Sequence, residues 1–134
     1  MKNTLLVHST ILCILVLISC SEPNTPRIGN SNGVFVGKLT MYDPTGGHPV
    51  NGTISIKQDN SNSLSGNWSL NNGQSGKLVG TIKNAKITVN LNPDMVDANT
   101  NLIGDFDGNS IKGQWYFSGE PGVLNRGTFI ATNI

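Results

Sequence analysis

A short motif recurs along this chain and limits its fold more than any other feature: apolar, any residue, glycine, any residue, apolar. It reads Phe35-x-Gly37-x-Leu39, Val50-x-Gly52-x-Ile54 and Leu64-x-Gly66-x-Trp68 in the first half. It reads Leu78-x-Gly80-x-Ile82, Leu102-x-Gly104-x-Phe106 and Ile111-x-Gly113-x-Trp115 in the second. Gly127-x-Phe129-x-Ala131 is a partial copy, and Ala85-x-Ile87-x-Val89-x-Leu91 keeps the spacing without the glycine. A spacing of two is the side-chain period of a β-strand, so these apolar residues and glycines share one face. The intervening positions are mostly polar, among them Lys38, Asn51, Thr53, Asn67, Lys86, Thr88, Lys112, Gln114 and Thr128. Such alternation describes an antiparallel sheet with one dry and one wet face.

Eight strands are predicted, at 33–42, 50–59, 62–70, 75–82, 85–91, 100–106, 110–118 and 125–132. Turn signals separate them: Asp43-Pro44-Thr45-Gly46-Gly47, Asn60-Ser61-Asn62, Asn71-Asn72-Gly73, Asp107-Gly108-Asn109 and Glu120-Pro121-Gly122. The longest connection is 92–99. No amphipathic helix interrupts the pattern. Inward glycine in mid-strand marks a bend or a close approach, which a sheet curling into a small barrel requires. An eight-stranded interior is just filled by side chains or holds one small ligand. The expected fold is therefore all-β: an eight-stranded antiparallel up-and-down barrel over residues 33–134, with a two-sheet β-sandwich as the alternative. The glycine–aromatic pattern in short meandering strands resembles the calycin-like barrels, lipocalin- and avidin-like. That resemblance implies a ligand held in the barrel mouth.

Ahead of the barrel the chain changes character. Lys2 precedes the apolar run Ile11-Leu12-Cys13-Ile14-Leu15-Val16-Leu17-Ile18, which ends at Ser19-Cys20. A basic start, a short apolar segment and a small residue describe a secretory signal peptide. The run falls short of the roughly 20 apolar residues of a spanning helix. Leu17-Ile18-Ser19-Cys20 resembles the lipobox of bacterial lipoproteins. The resemblance implies cleavage before Cys20, lipid on its sulfur and a further acyl chain on the new amino terminus. The implied organisation is a signal peptide at 1–19, a lipidated cysteine with a tether at 20–32, and then the barrel. The expected location is the bacterial cell envelope, lipid-anchored, with the outer membrane as the leading expectation and surface display left open beside an ordinary tether. With Cys13 removed and Cys20 acylated, no thiol remains for a disulfide.

Charge narrows the partners. Of nine Lys and Arg only Lys2 precedes Cys20, so eight basic residues face eight acidic ones beyond it. That balance leaves no footprint for nucleic acid. His48, in the loop Gly46-Gly47-His48-Pro49, is read as a solvated turn residue rather than a base or metal ligand. Asp105-x-Asp107-x-Asn109 and Asp97-x-Asn99-x-Asn101 supply oxygens but lack the glycine and terminal acid of a calcium loop, so no metal or cofactor is expected. Asp105 and Asp107 share a strand end with no cleft implied, and no nucleophile elbow is present, so an enzyme is not expected.

The candidate ligand residues are the inward aromatics Trp68, Trp115, Phe106 and Phe35, weighed against a role as core filling. The leading expectation is a membrane-anchored barrel that binds a small apolar or amphipathic molecule. The alternative is an envelope protein-interaction module, such as a hydrolase inhibitor or assembly factor. For the alternative, the outward residues Val34, Val36, Val79, Ile103, Tyr116 and Ile130 offer a candidate contact patch.

Overall fold

A computed structural model describes residues 27–120 and 122–134. The signal-peptide and lipobox readings, Cys20 included, lie outside the described residues. Within them the chain folds into eight strands: β1 (Val34–Tyr42), β2 (Val50–Gln58), β3 (Ser63–Leu70), β4 (Ser75–Lys83), β5 (Lys86–Asn90), β6 (Asn99–Phe106), β7 (Ser110–Gly119) and β8 (Gly122–Asn133). Each strand pairs antiparallel with the next, and β8 returns to pair with β1. The sheet closes on itself as an up-and-down barrel, and the closure leaves no place for the two-sheet alternative. Strand limits fall within a residue or two of the sequence reading except at β8. That strand starts three residues earlier because a register shift at Phe117/Ser118 lets pairing run up to Gly119↔Gly122.

The recurring glycines explain how so small a sheet closes. A Cβ on Gly66 would fall onto the carbonyl oxygen of Ser55 in β2, and one on Gly113 onto that of Ile103 in β6. At these points backbone approaches backbone more closely than any side chain permits. The apolar residues flanking the motif glycines point into the barrel, and all but the half-buried Val50 are buried, from Phe35 and Leu39 in β1 to Phe129 and Ala131 in β8.

The turns follow a second rule. Six loops begin with an Asn or Asp whose side-chain oxygen accepts the backbone N–H two residues on: Asn30, Asp43, Asp59, Asn72, Asn90 and Asp107, at 2.8–3.1 Å. These side chains close turns in place of backbone bonds, which accounts for the abundance of Asn and Asp between strands. The β4–β5 hairpin differs. Asn84 and Ala85 both have positive φ, at 51° and 63°, in the manner of a type I′ turn.

The barrel begins earlier than the expected boundary at 33. Ile28 is fully buried and plugs one end, here the base. Its N–H donates to Gln58 Oε1 at 2.8 Å, and Gln58 Nε2 donates to Asn62 Oδ1 at 3.2 Å. Gly33 O accepts from Gln58 N at 2.8 Å, so the segment 28–33 is stitched under β2. A sequence boundary drawn where glycine and polar residues cluster missed a single isoleucine that fills the floor.

Gly66→Ala should lower the unfolding free energy by about 2–3 kcal/mol, because the neighbouring strand must move aside. Gly47→Ala is the matched control, since nothing lies within 4 Å of its added Cβ. Urea denaturation of the two variants checks the difference.

Candidate functional site

In an up-and-down barrel the loops after odd-numbered strands share one end. The β1–β2, β3–β4, β5–β6 and β7–β8 connections therefore surround the end opposite Ile28. That end holds a half-open cavity of about 420 Å³, here the mouth. Its lower wall is apolar and buried, made by Met41, Trp68, Leu91 and Trp115. Val50, Leu70 and Phe117 continue the apolar wall upward, half-buried. The rim above is polar: Asp43 and His48 from the first loop, Asn72 and Gln74 from the second, and Asn92, Thr100 and Asn125.

The two tryptophans are built alike. In β3, Trp68 lies over Gly76, its register partner in β4, and its Nε1 donates to Leu91 O just beyond β5 at 2.6 Å. In β7, Trp115 lies over Gly127, its partner in β8, and its Nε1 donates to Tyr42 O in β1 at 3.0 Å. Each indole thus crosses a glycine on the next strand and bonds the backbone of the strand after that. Strands β3 and β7 stand four apart in a ring of eight, so the two rings brace opposite walls of the mouth. Both donors are used by the protein itself, which leaves ring surface as what the tryptophans present to the cavity.

Of the four expected ligand residues, the structure brings Trp68 and Trp115 together at the mouth. Phe35 and Phe106 lie at the other end. They meet edge to face, with centroids 6.2 Å apart and planes at 88°, and fill the base. The strand period gave their face correctly but not their height in the barrel. The polar rim escaped the sequence reading, although odd loops sharing one end was a usable signal.

Asp43 is the acid of the rim. Its Oδ1 accepts from the Thr45 hydroxyl at 2.6 Å and from the Thr45 N–H at 2.8 Å, and its Oδ2 from the Asn125 amide at 3.4 Å. These bonds, the hydroxyl first, hold its carboxyl below the usual carboxylate range, so it is ionised at neutral pH. His48 is exposed, as expected of a turn residue, yet it borders the cavity.

The acids of the second Asp-rich segment sit elsewhere. Asp105 pairs with Lys86 at 2.9 Å on the outer face of the base. Asp107 accepts from the Ser110 hydroxyl at 2.7 Å and from the N–H groups of Asn109 and Ser110, which lower its carboxyl to about 2. Its oxygens organise a turn rather than face a cleft. Among the described residues no group of three or more His, Cys, Asp or Glu stands close enough to hold a metal ion.

The expected outer-face patch is scattered. In the ladder Val36 stands opposite Ser55, Val79 between Ser65 and Asn90, Ile103 between Thr88 and Gln114, and Ile130 between Thr40 and Lys112. The larger exposed apolar group is at the mouth instead. Met95 and Val96 project from the β5–β6 loop, and Val123 and Leu124 from the β7–β8 hairpin, with Val96 88 % exposed. The two elements adjoin at Gly119, whose added Cβ would lie 2.9 Å from Asp97 O and 3.2 Å from Leu124 Cδ1.

Trp68→Phe and Trp115→Phe should each cost about 1–2 kcal/mol of stability, since each leaves a carbonyl at the mouth without its donor. Thermal unfolding of the two variants tests whether the indole bonds, rather than ring volume alone, hold the rim.

No known protein-family model matches the chain, nor does any curated protein sequence, so the functional reading rests on the geometry of the mouth.

Proposed function

We propose that this protein binds a small apolar or amphipathic molecule in the barrel mouth, at the bacterial cell envelope, anchored by lipid on Cys20. One observation carries the binding part: the barrel is filled at its base but open at its mouth, where a cavity of about 420 Å³ has an apolar wall below a polar rim. That layering suits a molecule whose apolar body rests on Met41, Leu91 and the two indoles, with its polar end among the rim amides. The anchor is supported by the apolar run and by Leu17-Ile18-Ser19-Cys20 in the sequence. More than one acyl chain on a single residue makes a stable membrane attachment.

A second reading has its own observation. The lip formed by Met95, Val96, Val123 and Leu124 is an apolar surface beside the opening, of the kind that contacts a protein partner. The two readings differ in what stays bound. Native mass spectrometry of the protein gently extracted from its own envelope should show an added mass of a few hundred daltons if the cavity is occupied. A bare protein mass, with a second polypeptide in constant ratio, would favour the interaction module. Separately, Cys20→Ala should abolish metabolic labelling with a fatty acid and release the protein from the membrane fraction. Retained fatty-acid labelling in that variant would overturn the anchor.

A further inference from the structure

We propose that the mouth selects ligands whose polar end is uncharged or cationic and rejects carboxylates. This inference rests on the reading of the mouth as a binding site and adds the class of ligand. Its basis is the set of charges the fold places there. Among the described residues that line the cavity there is one carboxylate, Asp43, one imidazole, His48 in the same loop, and no Lys or Arg. The Asp43 charge is held in place by the turn bonds to Thr45, so it is a fixed feature of the rim. An anionic head lowered among Asn72, Asn92 and Asn125 would find no ammonium or guanidinium partner, and would stand beside a like charge in a partly desolvated cleft.

The surrounding loops reinforce this. Asp94, Asp97 and Glu120 all belong to the loops at the mouth. The lysines Lys57, Lys83, Lys86 and Lys112 belong to strand ends at the base, where they outnumber Asp59, Asp105 and Asp107. The near-zero net charge of the chain conceals this separation along the barrel axis. Two basic residues stand on the mouth halves of their strands, Lys77 in β4 and Arg126 in β8, and both are exposed on the outer face, opposite Asn67 and Tyr116. Four carboxylates, Asp43, Asp94, Asp97 and Glu120, thus outnumber the two outward basic side chains at the opening, a balance that disfavours an approaching carboxylate and favours an ammonium group.

The rim amides fit the same class. Asn and Gln offer both donors and acceptors, which serve a hydroxyl, an amide or an ammonium group without a compensating charge. The apolar wall sets no demand on charge. Selectivity thus comes from the rim alone, and a series with one apolar body and different heads isolates it.

The full chain carries only two tryptophans, and both stand at the mouth, so their emission reports on this cavity. The full chain in phosphatidylcholine vesicles would be titrated near neutral pH with hexanol, hexylamine and hexanoate, probes short enough to stay dissolved. Hexanol and hexylamine should shift the emission at concentrations about tenfold or more below hexanoate. Asp43→Asn should narrow the gap, and Asn72→Lys should bring hexanoate up to hexanol. Hexanoate binding as tightly as hexanol in the unaltered protein would overturn the selectivity and leave the cavity reading intact. Failure of all three probes to move the emission would overturn both.

Discussion

Everything in this molecule depends on how closely one strand's backbone can approach the next. Eight short strands close into a ring only if the sheet bends sharply, and at Gly66 and Gly113 the neighbouring carbonyl occupies the space a side chain would need. Removing side chains from the inner face has a cost, because the interior then has less to fill it. The protein offsets this with large residues between the glycines. Phe35, Phe106, Phe129 and the branched aliphatics fill the base, and Ile28 closes it from below. Toward the mouth the same compensation is made by two indoles lying across glycines, and there the filling stops short of the opening.

The indole braces show how packing and shape are linked. Each ring covers a glycine and ends in a hydrogen bond to a strand two places away, so it replaces missing inner volume and ties three strands together. Because the braces stand on opposite walls, the rim is held open between them. A cavity held open in this way needs little rearrangement to admit a small molecule. A preformed site loses less order on binding than one that must be assembled.

Much of this is legible in the amino-acid sequence. Strand number, strand face and antiparallel order follow from a period of two and a glycine in seven of the eight strands, and the barrel follows from what such glycines allow. The positions that escaped are those whose role depends on depth. Trp68 and Phe106 carry the same sequence signature, each two residues after a glycine, yet one borders the mouth and the other fills the base, because period two specifies a face and not a height. Gly76 lies outside the recurring motif, and only its pairing with Trp68 gives it a purpose. Ile28 sits among Pro, Gly and Asn residues that read as a linker, and a lone apolar residue carries no period to betray its burial. Charge separation was hidden for a related reason: a sum over the chain discards the direction of the barrel axis.

The isoleucine plug has one more consequence. Because Ile28 is locked beneath the base through Gln58, the chain joins the barrel at the end away from the opening. Strands of this length, tilted as in a small barrel, put the rim roughly 20–25 Å above that point. Whatever holds the preceding residues therefore holds the barrel by its foot. With the proposed lipid on Cys20 as that support, the opening would look outward, like a cup set on a stem, and a ligand would arrive from the side opposite the membrane.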